Sequence, residues 1–78
     1  MRYIVTPKLN ELLKERGMTQ VDLSKITGIG QGTISRFDKN KQHKDVHLVT
    51  IASALDVKIE DLFYIFEVDE ANEKLITE

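Results

Sequence analysis

The stretch Thr27–Phe37, TGIGQGTISRF, places three glycines at Gly28, Gly30 and Gly32 just ahead of a segment with helical spacing. Two readings compete for it. A phosphate-cradling loop needs a strand before it, a helix after it and the spacing GxGxxG, or a P-loop ending in Gly-Lys-Ser/Thr. Here the spacing is GxGxG, the preceding residues are helical in pattern, and no lysine follows the last glycine. The alternative is a tight turn that presents a short helix, and the flanking residues favour it.

Upstream, Thr19 is expected to cap a helix and Asp22 to answer its exposed amides from the first turn. Val21, Leu23 and Ile26 supply apolar positions, and Thr27-Gly28 stops that helix after two turns. Downstream, a helix begins near Gln31, with Ile34 and Phe37 three apart and facing inward. Asn40 is the expected left-handed terminator. Two short helices joined by a glycine-containing turn make a helix-turn-helix. Gly32, Ser35 and Arg36 then point away from Ile34 and Phe37, with Gln31 and Thr33 on the flanks.

The remaining chain supplies partners for this pair. Thr6 suits an N-cap and Pro7 a first helical position, opening a helix near residues 7–16 with Leu9, Leu12 and Leu13 on one face and Gly17 at its end. Lys39 to Asp45 holds no apolar residue and reads as an exposed loop. Asp45 is placed to cap a fourth helix carrying Leu48, Ile51, Ala52 and Leu55, broken at Asp56-Val57. Ile59, Leu62 and Phe63 predict a short fifth helix. Residues 2–6 and 64–68 are β-prone and are expected to pair, leaving exposed edges and aromatic surface that suit a dimer contact. The acidic run 69–78 reads as a frayed helix or a disordered tail, which divides the chain into a domain (1–68) and a tail.

Seventy-eight residues, 41% of them apolar and 31% charged, make one small globular domain close to the lower size limit for a self-sufficient core. The absence of cysteine excludes disulfides and thiolate metal sites. The N-terminus lacks the apolar run of a signal peptide and the longest apolar run is far short of a membrane span, so a cytoplasmic protein with no membrane contact is expected. The net charge of −2 conceals a division: residues 1–44 carry nine Lys/Arg against four acids, and residues 45–78 two lysines against nine. A basic working face with an acidic remainder follows.

Taken together, LNELLKERGMTQVDLSKITGIGQGTISRF (residues 9–37), the charged loop, and LVTIASALDVKIEDLF (residues 48–63) resemble the Cro/cI-repressor (XRE-type) helix-turn-helix family over Leu9 to Phe63. The resemblance implies an all-α, five-helix lambda-repressor-like domain, here with the small β pair added. It places Gln20 on the DNA backbone, Leu23 and Ile26 in the core, Gly28 in the turn with Ile29 plugging it, and Gln31 at the foremost base-reading position. Thr33 and Arg36 fall on further contact positions. Gly30 stands where Ser or Thr often caps the helix, Ser24 where alanine is common, Asp38 where glutamate is usual, and Asn40 where glycine ends the helix. Gly32 weakens its helix by up to about 1 kcal/mol and removes a side chain from the reading face.

The implied function is a sequence-specific regulator of transcription reading the major groove of double-stranded DNA. Its base contacts would come from Gln31, Gly32, Thr33, Ser35 and Arg36, and its phosphate contacts from Gln20, Lys39, Asn40, Lys41 and Lys44. A homodimer on a palindromic operator and helix dipoles aimed at phosphates complete the expectation. A rival reading is a protein-interaction module, an antitoxin or adaptor, using the acidic and aromatic C-terminal segment. Enzymatic chemistry finds no support: Glu60-Asp61 and Asp69-Glu70 diverge on a helix, and Ser24, Ser35 and Ser53 lack a His/Asp partner. His43 and His47 read as a solvated loop residue and a first-turn residue, with no third metal ligand. No cofactor is expected.

Overall fold

The computed structural model describes residues 2–69 and 74–76. Strand β1 (Arg2–Pro7) leads into α1 (Leu9–Glu15), α2 (Gln20–Thr27), α3 (Gln31–Ser35), a 3₁₀ turn at Phe37–Lys39, α4 (Asp45–Leu55), a second 3₁₀ turn at Ile59–Leu62, and strands β2 (Phe63–Asp69) and β3 (Lys74–Ile76). The four helices enclose one core in which Leu9, Leu23, Ile34, Phe37, Ile51 and Leu62 are fully buried. The sheet is antiparallel in the order β1-β2-β3, with Tyr3 opposite Glu67, Ile4 opposite Phe66 and Val5 opposite Ile65.

Several expectations are corrected. The chain is mainly helical with a sheet rather than all-α, and the fifth helix is a single 3₁₀ turn. Phe63 has already entered β2, and the extended backbone there ends the turn. Thr6 and Pro7 do not open α1: they pair with Tyr64 and Phe63 at the end of β1, and the helix starts two residues later. Proline is tolerated there because it sits at the end of an edge strand. Asp45 is the first residue of α4, not its cap. Asn40 is extended, with φ −85°, so it ends nothing in the left-handed region. Ile26 is 60% exposed and lies outside the core; on the short α2 only Leu23 is buried. In the acidic run, Lys74–Ile76 pair with β2 at Glu67–Asp69, so they are neither frayed helix nor disordered. The reading of residues 70–73 and 77–78 falls outside the described residues.

Local signals place the ends of the helices. Gly17 takes φ +62° after α1, and Met18 N–H donates back to Leu13 O at 2.9 Å. Arg16 Nη2 reaches across to the Leu55 carbonyl at the end of α4, 2.9 Å away. A cation there meets both the unpaired carbonyls and the negative end of the dipole.

Candidate nucleic-acid interface

The presented helix is built by its neighbours. At the start of α2 the Thr19 hydroxyl accepts from Asp22 N–H at 3.0 Å, and the Asp22 carboxylate accepts from Thr19 N–H at 3.0 Å. These bonds favour the ionised acid, the backbone one most, and hold Asp22 below the usual carboxylate range. At the other end Gly28 closes the helix at φ +76°, a conformation that an L side chain disfavours.

The turn is then locked by two hydroxyls. Ser24 Oγ donates to Ile29 O at 2.6 Å; Thr27 Oγ1 donates to Leu23 O at 2.7 Å and accepts from Ile29 N–H at 3.2 Å. Both polar groups of Ile29 are thereby satisfied while its side chain is buried. The serine in α2 is thus a fastening for the turn as well as a small residue.

Gly30 is the N-cap of α3, and its carbonyl accepts from Thr33 N–H at 3.0 Å and Ile34 N–H at 3.2 Å. Five residues are too few for a self-supporting helix. Burial of Ile34 and, just beyond, Phe37 anchors the segment, and one face remains outside. Gln31, Gly32, Ser35 and Arg36 are exposed and Thr33 is half-buried on the flank. Ser35 Oγ donates to the Gly32 carbonyl at 3.0 Å, so its donor is engaged within the helix.

Arg36 folds back along α3: a Cβ built at Gly32 would lie 3.3 Å from its Nη1 and 3.5 Å from its Nη2. Gly32 gives the guanidinium space on the outer face, a relation that the spacing of the sequence did not disclose. Its φ is not positive, so the small residue answers this close approach rather than a backbone demand.

The basic loop begins where α3 ends. Lys39, Asn40, Lys41 and Lys44 are all exposed. Thr33, Asn40 and Lys44 line one cleft of about 200 Å³, and Lys39, Asn40 and Lys41 line a second of about 420 Å³ together with Val5–Pro7. Gln20 lies at the start of α2, where its Nε2 donates to Asn10 Oδ1 at 2.7 Å.

Two residues of the frame escaped the sequence reading. Asp38 grips the start of α1, accepting from Leu9 N–H at 2.7 Å and Asn10 N–H at 3.0 Å. His43 is half-buried rather than solvated. Its ring stacks on Phe37 at 4.0 Å, meets Phe63 edge-on, and its Nε2 lies 2.8 Å from the Phe37 carbonyl. The aromatic stack pins the middle of the charged loop to the core below α3. Among the described residues no group of three or more His, Cys, Asp or Glu is arranged to hold a metal, and no helix is long and apolar enough to cross a membrane.

A recessed turn, a short outward helix and a following row of cations define the helix-turn-helix class of nucleic-acid-binding domains. The family profile described as a Cro/C1-type HTH DNA-binding domain matches residues 8–67, and the chain belongs to that family. Comparisons with curated proteins and with solved structures return no match. DNA is accordingly the partner of this domain.

Proposed function

We propose that this chain is a sequence-specific regulator of transcription that lays α3 in the major groove of double-stranded DNA and binds a palindromic operator as a homodimer. The observation that carries the proposal is the division of α3 into two faces. Ile34 is buried beneath it, while Gln31, Gly32, Ser35 and Arg36 stand in solvent beside the exposed Lys39–Lys44 loop. In this reading Gln31 and Arg36 read base edges, Gly32 lets the backbone and the Arg36 guanidinium approach closely, and Thr33 and Ser35 make supporting contacts. Each bidentate contact contributes about 1–3 kcal/mol of discrimination. Gln20, Lys39, Asn40, Lys41 and Lys44 hold phosphates and set the register. Residues 1–68 form the DNA-binding domain, and the acidic 69–78, of which Lys74–Ile76 pair with β2, moderate affinity for a polyanion. Like the rest of the family's setting, a cytoplasmic location belongs to this proposal.

Selection of bound sequences from random duplex DNA tests it, because the recovered motif reports sequence preference, symmetry and half-site spacing together. Arg36→Ala is expected to relax preference at one position in each half-site. Lys41→Ala is expected to weaken binding to all duplexes alike and to lower the salt dependence by about one phosphate contact. Equal losses on every sequence from both variants would overturn the assignment of α3 as the reading element. No binding of any duplex by micromolar protein at low salt would favour the protein-interaction reading.

A further inference from the structure

The outer edge of β1 lies outside the residues proposed to touch DNA. Antiparallel sheets with one wet face alternate apolar and polar residues, whereas Tyr3-Ile4-Val5 and Tyr64-Ile65-Phe66 are continuous apolar runs, the pattern of strands covered on both sides. In the monomer they are covered only in part: Tyr3 is 60%, Ile4 41%, Val5 52% and Ile65 45% exposed, while Phe66 is half-buried. Among the described residues β1 pairs only with β2, so one row of its backbone donors and acceptors is unpartnered. Edge strands are ordinarily blunted by lysine, a central proline or a bulge. Between Tyr3 and Thr6 there is none of these, and Pro7 lies only at the strand's end.

We infer that β1 pairs antiparallel with β1 of a second copy of this chain, about a two-fold axis at Ile4. The strand is self-complementary in that register. Ile4 meets Ile4, Tyr3 meets Val5, and Arg2, its one charged residue, meets the uncharged Thr6, so no like charges face each other. One face of the joined sheet then carries the row Phe66–Ile4–Ile4–Phe66, and the other carries Ile65 and Val5 running on into Tyr3 of the partner. An isologous contact of this kind closes as a dimer, which is the symmetry a palindromic site requires. The inference rests on the proposed reading only for that last point. The area is small, on the order of 800 Å² for the pair against the roughly 1,200 Å² of a standard stable interface. The dimer is therefore weak in free solution and assembles on DNA.

The chain has no cysteine, so single-cysteine variants report the register directly. In Ile4→Cys the two thiols lie directly opposite, about 4.5–5.5 Å apart at Cα, within disulfide reach; in Tyr3→Cys each lies one residue from the axis, so the pair is offset by two residues along the strands and beyond that reach. Full-length protein is oxidised under mild conditions with and without a random-sequence duplex at low salt, and DNA binding is followed separately by fluorescence anisotropy. The expected result is at least five-fold more disulfide dimer from Ile4→Cys than from Tyr3→Cys, increased by the duplex. Val5→Lys, a change at an exposed position, is expected to retain the wild-type melting temperature and, when added to Ile4→Cys, to abolish the disulfide dimer formed on the duplex.

Equal crosslinking by the two cysteine variants, with DNA binding intact, overturns the pairing and leaves the DNA reading standing. Preferential crosslinking by Ile4→Cys in a protein that binds no duplex supports the pairing while the DNA reading fails. A Val5→Lys change that leaves the melting temperature at the wild-type value and the Ile4→Cys crosslinking as strong also overturns the pairing.

Discussion

Removing the Asp38 carboxylate tests whether the segment that follows α3 is tied to α1 as the geometry indicates. Its two oxygens receive separate amides of α1, from Leu9 at 2.7 Å and from Asn10 at 3.0 Å. α1 has no side-chain cap of its own, because Lys8 occupies that position. The Leu9 bond is partly buried, so in Asp38→Ala that N–H loses its acceptor with poor access to water, at about 1–1.5 kcal/mol. The Asn10 N–H is exposed and water replaces much of its bond, leaving about 0.5 kcal/mol. The sum, about 2 kcal/mol, matches the upper end of measured cap deletions. For a domain of this size it lowers the melting temperature by about 8–16 °C. Asp38→Asn retains one carbonyl oxygen, which can accept from Leu9, while its NH₂ cannot accept from Asn10, so about a quarter of the loss is expected. Thermal unfolding followed by circular dichroism should give the order wild type, Asn, Ala. A melting point for Asp38→Ala within about 2 °C of wild type would refute the coupling.

Three further outcomes follow from the same frame. Gly28→Ala forces a side chain to φ +76°, costing about 1–2 kcal/mol by denaturant titration, although space around the position is open. Ser24→Ala removes the donor to the Ile29 carbonyl and is expected to destabilise by about 1 kcal/mol, with line broadening in NMR spectra centred on residues 28–30. The Asp22 carboxyl titrates below its ordinary value near 3.8, so the capping box is at full strength above that value and weakens as the pH falls through the lower, folded-state value. Thr19→Ala keeps the main-chain N–H that lowers Asp22 most, so NMR titration should find Asp22 moved only part of the way back up; a complete return to the ordinary value would show that the hydroxyl, not the main-chain bond, is the larger cause.

What could be read from the sequence, and what could not, divides by distance along the chain. Thr19 with Asp22, and the stops at Gly17, Gly28 and Asp56, were legible because cap and recipient lie within a few residues and each obeys a local rule. The outward face of α3 was legible for the same reason: helical period and two buried anchors decide which residues remain outside. Asp38 was not, because the amides it serves lie 28 and 29 residues away and a lone aspartate after a helix carries no sign of them. His43 was misread since its polarity masks a flat ring that fits against Phe37, and Ile26 because apolar character was taken for burial on a helix with room for one core residue. The fifth helix failed where a local pattern yielded to strand pairing at Phe63.

Asp38 and His43, which the sequence did not disclose, share with Ser24 one location: all three bear on the surroundings of α3. A helix of five residues has too little internal hydrogen bonding to stay formed by itself, so its persistence is supplied from outside. Ser24 and Thr27 fix the turn before it, Ile34 and Phe37 hold its underside, and Asp38 and His43 fasten the chain after it. Residues that never touch DNA in the proposed complex therefore govern how well Gln31 and Arg36 are pre-positioned to touch it. Loosening either fastening should raise the dissociation rate from the preferred sequence more than it changes affinity for random duplex, because phosphate contacts tolerate displacement that base-edge contacts do not.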